Sequence, residues 1–233
     1  MLHAKTCEYA IDPGAVDDRQ HRAIVRRHYR TRGPNECWHI DGNHKLIDWK
    51  LVIHGGIDGC TRYIPFLKIS DNNSAAVVHD AFVLACVALN EVPWAVCADH
   101  GGENIVVQSF MKYYRGVNSF RQTKSVHNQP IERLWWEINT KVTDTYRAHW
   151  IQWEDNGLNF GNDNVLFCLH YLFLPRLNED LLQFHKQWNS HSIPTTVGNL
   201  SPNQLRQRLE DMYPPAVNLC VDEYRFAVFQ PVP

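Results

Sequence analysis

Three acidic residues in separate hydrophobic segments could carry chemistry in this chain: Asp41, Asp99 and Glu132. Asp41 ends the alternating run Trp38-His39-Ile40-Asp41, which predicts a strand, and Asp99 follows the apolar run 92–98. Glu132 lies near the start of an amphipathic segment. Carboxylates that converge from separate elements can bind Mg²⁺ or Mn²⁺, and two such ions roughly 3.5–4 Å apart support phosphoryl transfer. The pattern therefore predicts a three-carboxylate metal site that could support phosphoryl transfer.

Each acid also has a simpler interpretation when it is taken alone. Asp41 could pair with Lys45 or His39, and Asp99 could cap the helix that follows it. Glu132 could be a first-turn glutamate that is favoured by the helix dipole. The acids act together only if the fold brings their elements to one place.

The elements around Asp41 read as three strands in a meander over residues 37–69. The strands are expected at 37–47, 51–57 and 62–69, and the short connections favour antiparallel hairpins. Pro65 cannot donate to a ladder, so the third strand should lie at a sheet edge.

Asp99 is positioned by a strand, helix, strand order, which implies a crossover and a parallel neighbour. The helix is expected over 73–90, where it is apolar nearly all round and should be well buried. Asp99 then falls at the C-terminal end of the strand 92–98, where open α/β sheets place ligands. A helix over 103–115 and a short fifth strand over 118–123 are expected next.

Glu132 belongs to the clearest amphipathic helix, which is expected over 127–149. It lies at the margin of an apolar stripe, whose members are Ile131, Leu134, Trp135, Ile138, Val142 and Tyr146. Pro130 is tolerated only within the first turn, so Ser125 or Asn128 should be the cap.

Further along the chain, two helices are expected at 163–174 and 176–188, divided at Pro175. Ser201 and Pro202 should start a short helix, with serine as the cap and proline just inside it. Asp58 should make a turn, and Trp135 and Trp136 should belong to the core and to an interface.

The formal net charge of the 233 residues is −2, so attraction to DNA must come from local basic patches. One such patch is a run of arginines between Arg19 and Arg32 on an expected helix over 15–30. These arginines could contact phosphates or could form a solvated helix face. No apolar run approaches ~20 residues, so no membrane span is expected.

The seven cysteines contain no CxxC pair, so a zinc-finger spacing is absent. Cys86 and Cys97 lie in apolar runs and are expected to be buried thiols. The odd, scattered set indicates a reducing compartment. The histidine pairs His39/His44 and His185/His191 lack cysteine partners, so we expect no zinc site there.

Four segments together resemble the catalytic core of retroviral-type integrases and related transposases, the DDE superfamily. They are Trp38-His39-Ile40-Asp41, Ile57-Asp58-Gly59-Cys60-Thr61-Arg62, Asp99-His100-Gly101-Gly102-Glu103-Asn104 and His127-Asn128-Gln129-Pro130-Ile131-Glu132-Arg133. The likeness covers residues 33–207 and is strongest to integrase-core proteins of mobile-element origin in eukaryotic genomes. Residues 1–32 would then be a basic helical remnant and 208–233 a C-terminal tail.

The resemblance implies an α/β, ribonuclease-H-like fold with a five-stranded mixed sheet flanked by helices. It implies that Asp41, Asp99 and Glu132 hold Mg²⁺ or Mn²⁺, and that water or a DNA 3′-hydroxyl is the nucleophile of DNA strand transfer. DNA is the expected partner, a homo-oligomer the expected assembly, and the nucleus or cytoplasm the expected location. Weaker candidates for DNA contact are Lys124, His127, Asn128, Arg133, Arg26 and Arg27.

Two alternatives stay open beside strand transfer. A domesticated core could bind DNA or a protein without catalysis, and a core of the same fold could be a simple metal-dependent nuclease.

Overall fold

The computed structural model of the protein describes residues 31–123, 128–195 and 198–210. The expected helix over 15–30 and the chain beyond residue 210 lie outside the described residues, as do the candidate DNA contacts Arg26, Arg27, Lys124 and His127. Among the described helices, none is both long enough and apolar enough to cross a membrane.

Five strands form one mixed sheet in the spatial order β3-β2-β1-β4-β5. Their bounds are β1 Cys37–Asn43, β2 Val52–Asp58, β3 Leu67–Ser70, β4 Ala95–Ala98 and β5 Phe120–Gln122. The three-stranded meander is confirmed, and its third strand lies at the sheet edge as predicted, although it begins at Leu67 and leaves Pro65 outside it. A separate antiparallel pair joins β6 Ile193–Thr195 to β7 Gly198–Leu200.

The directions of the strands identify the architecture. β2 is antiparallel to both β1 and β3, whereas β4 is parallel to both β1 and β5. The helix between β3 and β4 makes the expected crossover, so β4 can return parallel to β1. A 3-2-1-4-5 sheet in which only β2 is reversed is the ribonuclease-H-like arrangement, which the resemblance to integrase cores implied.

Six α-helices flank the sheet in the described residues, and shorter helical turns connect them. They are α1 Ala75–Leu89, α2 Ile105–Arg115, α3 Gln129–Ile138, α4 Asp144–Asp155, α5 Asp163–Ser190 and α6 Pro202–Glu210. Short 3₁₀ turns cover Ile47–Trp49, Gly102–Asn104 and Val117–Ser119, and a π-helical turn, Asn139–Thr143, joins α3 to α4.

The two faces of the sheet bury separate apolar cores. On one face, Trp38 and Ile40 of β1 pack with Phe82 of α1 and Met111 of α2. On the other face, residues of β2 such as Ile53 pack with α3, α4 and α5. Successive side chains of a strand point to opposite faces, so β1 contributes to both sides.

The long amphipathic helix differs from its predicted form in two ways. It runs as α3, the π-helical turn and α4, and it continues to Asp155 rather than ending near residue 149. Its predicted apolar stripe is confirmed as buried from Ile131 to Val142. A π turn adds a residue to the repeat and so rotates the apolar face of the following helix.

The expected division at Pro175 is wrong, because α5 is a single helix of 28 residues with Pro175 inside it. Proline removes one N–H from the helix ladder and crowds the preceding turn. Pro175 lies on the exposed face, where water can solvate the freed carbonyl group, while Leu177 and Leu181 are fully buried. Burial of the apolar face on both sides of the proline holds the helix together.

Two further expectations concern burial and capping. α1 was expected to be well buried, but Leu84 is 64% exposed, so one side of this helix faces solvent. The cap at Ser201 is confirmed: its hydroxyl oxygen accepts from the Gln204 backbone N–H at 3.2 Å, and the Gln204 side-chain oxygen accepts from the Ser201 N–H at 2.9 Å. This reciprocal pair is a capping box.

Candidate active site

Asp41 lies in β1 on the face that α3 covers. It pairs across the sheet with Gly55 of β2. A Cβ atom at Gly55 would lie only 2.8 Å from the Cη2 atom of Trp135, so the glycine makes room for the indole ring. The indole Nε1–H of Trp135 then donates to the Asp41 carboxylate at 2.8 Å. The role expected for Trp135 was packing alone, and the structure adds the orientation of Asp41.

The pKa of Asp41 depends in part on the other two acids. The pKa of Asp41 is raised to about 6, first by burial and further by the negative charges of Asp99 and Glu132. Hydrogen bonds from Trp135 and from the Gly42 backbone oppose that rise. Asp41 therefore lies close enough to Asp99 and to Glu132 for both charges to act on its ionisation.

Asp99 directly follows the last residue of β4 and is half-buried. Its Oδ1 atom accepts from the Gly101 backbone N–H at 3.0 Å and from the side-chain amide of Asn104 at 3.2 Å. Asn104 is 3% exposed, so this support is a fixed part of the fold. Asn104 has no signal of its own in the sequence beyond its place after Asp99.

Glu132 lies in the first turn of α3 and is exposed. Its backbone N–H donates to the Asn128 carbonyl at 3.3 Å, and Pro130 occupies the first turn, where it costs no hydrogen bond. Glu132 is therefore the most exposed of the three acids.

A line of three hydrogen bonds, here named the polar seam, joins β1 to the helical segment above it. His39, Asp41 and Asn43 are alternate residues of one strand and each bonds the facing segment; the pairs are His39–Asn128, Asp41–Trp135 and Asn43–Asn139. Strand and helix run in the same direction along the seam. The seam therefore fixes β1 relative to the segment 128–139 at three points.

Asn128 and His39 form the most buried pair of the seam, at 1% and 2% exposed. The Asn128 Oδ1 atom bonds the His39 ring at Nδ1, and its amide donates to the Ile40 carbonyl at 3.3 Å. Burial lowers the pKa of His39 to about 4, so the ring is neutral near pH 7. Asn128 takes the cap position of α3 without capping it, and such burial leaves its side chain no surface to offer a phosphate.

Arg133 remains the described candidate for DNA contact. It is exposed, its guanidinium lies 4.5 Å from the centroid of the exposed Trp136 ring, and it donates to Glu137 at 2.7 Å. Lys141 also pairs with Glu137, at 2.9 Å. These basic groups line the outer side of the helical segment beyond Glu132.

Asp58 is a buried turn residue, as expected. Its carboxylate accepts from the Thr61 N–H and hydroxyl at 2.8 and 2.7 Å, and from the Asn35 N–H at 3.1 Å. The burial and these fixed partners give Asp58 a structural role apart from the three acids.

The donor chemistry of the acids fits a hard divalent cation. Oxygen ligands from separate elements suit Mg²⁺ or Mn²⁺, and a cation beside Asp41 would offset the burial and the repulsion that raise its pKa. The three carboxylates are not close-packed: within the described ranges, the one group of three His, Cys, Asp or Glu residues with ligand atoms all within 4.8 Å of each other lies elsewhere. The role of Asp41, Asp99 and Glu132 as ligands therefore stays a prediction.

That group is Cys37, His39 and Cys97, and it corrects the expectation that His39 lacks cysteine partners. Cys37 stands two residues before His39 on β1, so both side chains point to one face. Cys97 of β4 pairs directly with His39 in the parallel ladder. The pairing of two strands distant in sequence brings the three residues together, which no spacing in the sequence shows.

The family model described as integrase core domain matches residues 28–212. The chain therefore belongs to the integrase core domain family. A search of curated proteins found no match.

Solved structures of integrases are similar to this chain at low sequence identity. The magnesium-bound catalytic core domain of the HTLV-2 integrase, in its trimeric form, is 15% identical at a TM-score of 0.49, over 76% of this chain and 99% of that one. The simian T-cell lymphotropic virus intasome in complex with the PP2A regulatory subunit B56 gamma is also 15% identical, with a TM-score of 0.49. The match covers 79% of this chain and 59% of that one.

Proposed function

We propose that the protein is a divalent-metal-dependent polynucleotidyl transferase that joins or cleaves DNA. The observation that carries the proposal is that Asp41 on β1 is subject to the negative charges of Asp99, which follows β4, and of Glu132 on α3. Membership of the integrase core domain family supports the same chemistry. Mg²⁺ or Mn²⁺ would be held by these three acids, where it would neutralise phosphate charge and activate the nucleophile.

Side chains and backbone groups of the protein would hold the acids in position around that ion. Trp135 orients Asp41 through its indole N–H, and Gly101 and Asn104 hold Asp99. Glu132 is exposed at the rim, where DNA can approach it. The substrate is DNA, with water or a 3′-hydroxyl as nucleophile, and the proposed location is the nucleus. A homo-oligomer would bring two DNA ends to one assembly.

The test is a product assay on the full chain with labelled short duplex DNA in Mn²⁺. Strand-transfer products from the wild type, lost in Asp99→Asn and Glu132→Gln, would support the proposal. Asp80→Asn is the matched control, because Asp80 is an exposed acid on α1, on the other side of the sheet. Hydrolytic cleavage without joining would identify a nuclease of the same fold.

A catalytically silent module that binds DNA or protein is the second candidate, favoured by the spread of the three carboxylates beyond 4.8 Å. Salt-dependent DNA binding by the wild type with no metal-dependent product, equal in Glu132→Gln, would establish it and overturn catalysis. A Mn²⁺-induced rise in melting temperature that Asp99→Asn keeps in full would remove the acids as ligands.

A further inference from the structure

A cluster of two thiols and one imidazole lies beside the two aspartates, two residues earlier on each of the same strands. Cys37 and His39 project from one face of β1, and Cys97 projects beside them from β4. Their ligand atoms all lie within 4.8 Å of one another. The proposed DNA chemistry at Asp41, Asp99 and Glu132 uses none of these three residues.

The cluster is deeply buried and its sulfur atoms are in contact. Cys37, His39 and Cys97 are 3%, 2% and 7% exposed. The Cys37 thiol donates to the Cys97 sulfur at 3.1 Å, and both cysteines are free. Three metal-binding groups with so little access to water form a built site rather than a chance cluster at the surface.

The histidine has the support that metal-bound histidines share. Such a ring almost always hydrogen-bonds a protein oxygen through one nitrogen while the other binds the metal. In His39 the Nδ1 atom bonds the Asn128 Oδ1 atom, and Asn128 is itself tied to the Ile40 carbonyl. This partnership fixes the ring orientation.

Charge balance selects the metal. Two thiolates and one neutral imidazole carry two negative charges, which one divalent cation cancels, and a buried site strongly favours zero net charge. Thiolate and imidazole ligands suit Zn²⁺ and disfavour Mg²⁺ or Mn²⁺. Both thiols lose their protons when the metal binds, so binding releases protons to solvent.

We propose that Cys37, His39 and Cys97 provide three of the four ligands of one Zn²⁺ ion that ties β1 to β4 next to the three acids. Asp41 follows His39 by two residues and Asp99 follows Cys97 by two, a distance of about 7 Å along a strand. The ion would hold the two strands that present these aspartates at a constant separation. It would be distinct in ligand chemistry from the Mg²⁺ or Mn²⁺ that the acids are proposed to bind.

The test measures metal content in the full chain purified with reductant and supplied with Zn²⁺. We expect one zinc per chain in the wild type and a loss of at least tenfold in zinc affinity in Cys37→Ala, Cys97→Ala and His39→Ala. Cys86→Ala is the matched control, because Cys86 is a thiol equally buried in the other core. Glu132→Gln should keep its zinc, which separates this site from the acids.

Substitution of Co²⁺ for Zn²⁺ keeps the proposal testable if a cysteine variant fails to fold. The folded wild type should show a sulfur-to-cobalt charge-transfer band that saturates at one equivalent and persists in Cys86→Ala. A wild type that is folded by circular dichroism but shows neither zinc uptake nor the band would overturn the proposal. Full zinc retention in all three ligand variants, or a Cys37–Cys97 disulfide formed in place of metal uptake, would overturn it as well.

Discussion

The two faces of β1 differ in composition although they share one backbone. Trp38 and Ile40 are 0% exposed and pack against α1 and α2 in an apolar core. His39, Asp41 and Asn43 point the other way, and each is hydrogen-bonded to the segment that begins at residue 128. The apolar face stabilises the fold by burial, whereas the polar seam sets the direction of side chains and their ionisation.

This difference has an energetic consequence. Apolar burial adds stability without regard to direction, while a buried polar group costs free energy unless its partner is in place. The polar face therefore adds little net stability and depends on register. Four substitutions, given from the largest expected effect to the smallest, separate the two contributions.

Trp38→Ala should cost the most, because it leaves a cavity on the apolar face beside Phe82, whose ring centroid lies 5.6 Å away. The free energy of unfolding should fall by about 3–5 kcal/mol in urea titrations at pH 7. The shape of the pH dependence should stay that of the wild type, since Asp41 is intact. A loss below about 1 kcal/mol would mean that this face does not carry the fold.

Asp41→Asn should stabilise the metal-free protein at pH 7. The folded-state pKa of about 6 lies above the ordinary value near 4, so the folded protein binds this proton more tightly than the unfolded chain does. Wild-type stability contributed by Asp41 is thus full below pH ~4, declines between pH ~4 and ~6, and is lost above.

Removing the charge should therefore add up to about 3 kcal/mol at pH 7 and almost nothing at pH 3.5. Urea unfolding of both proteins in EDTA across this range measures the difference. Asparagine keeps an oxygen that can accept from Trp135, so the seam survives. A variant less stable than wild type at pH 7 would contradict the raised pKa.

Asn128→Ala should break the seam at its most buried point. The His39 ring loses its partner at Nδ1 and the Ile40 carbonyl loses a donor, which should cost about 1–3 kcal/mol. Asn159→Ala is the control, because Asn159 is exposed and its side-chain oxygen accepts one hydrogen bond, from the Gly161 backbone N–H. Equal changes in melting temperature for both variants would show that this bond of the seam stabilises the fold no more than an exposed hydrogen bond does.

Trp135→Phe should have the smallest effect on stability and a specific one on titration. It removes the N–H that favours the charged form of Asp41, so the pKa of Asp41 should rise by up to about 1 unit above its value of about 6. The midpoint of the pH-dependent change in unfolding free energy in EDTA should shift upward accordingly. Trp136→Phe, at the exposed neighbouring position, should leave that midpoint unchanged.

Much of the fold followed from local patterns in the sequence. Alternation around Asp41, the apolar run before Asp99 and the stripe around Glu132 identified the strands and the helix that carry the acids. The prediction that the helix divides at Pro175 was wrong, because it considered only the local cost of proline. The burial of Leu177 and Leu181 outweighs that cost. The π turn at Asn139–Thr143 was likewise not predicted, because the hydrophobic pattern was compared with a single helical period.

The sequence by itself determined the five strands of the main sheet in chain order and the elements that carry the acids, and its resemblance to integrase cores indicated the family. Tertiary structure alone decided which side chains meet. Cys97 joins Cys37 and His39, and Trp135 reaches Asp41 across Gly55, only because the register of β1 with its neighbours puts them together. Period and propensity act over a few neighbouring residues, whereas register results from packing between segments far apart in the chain.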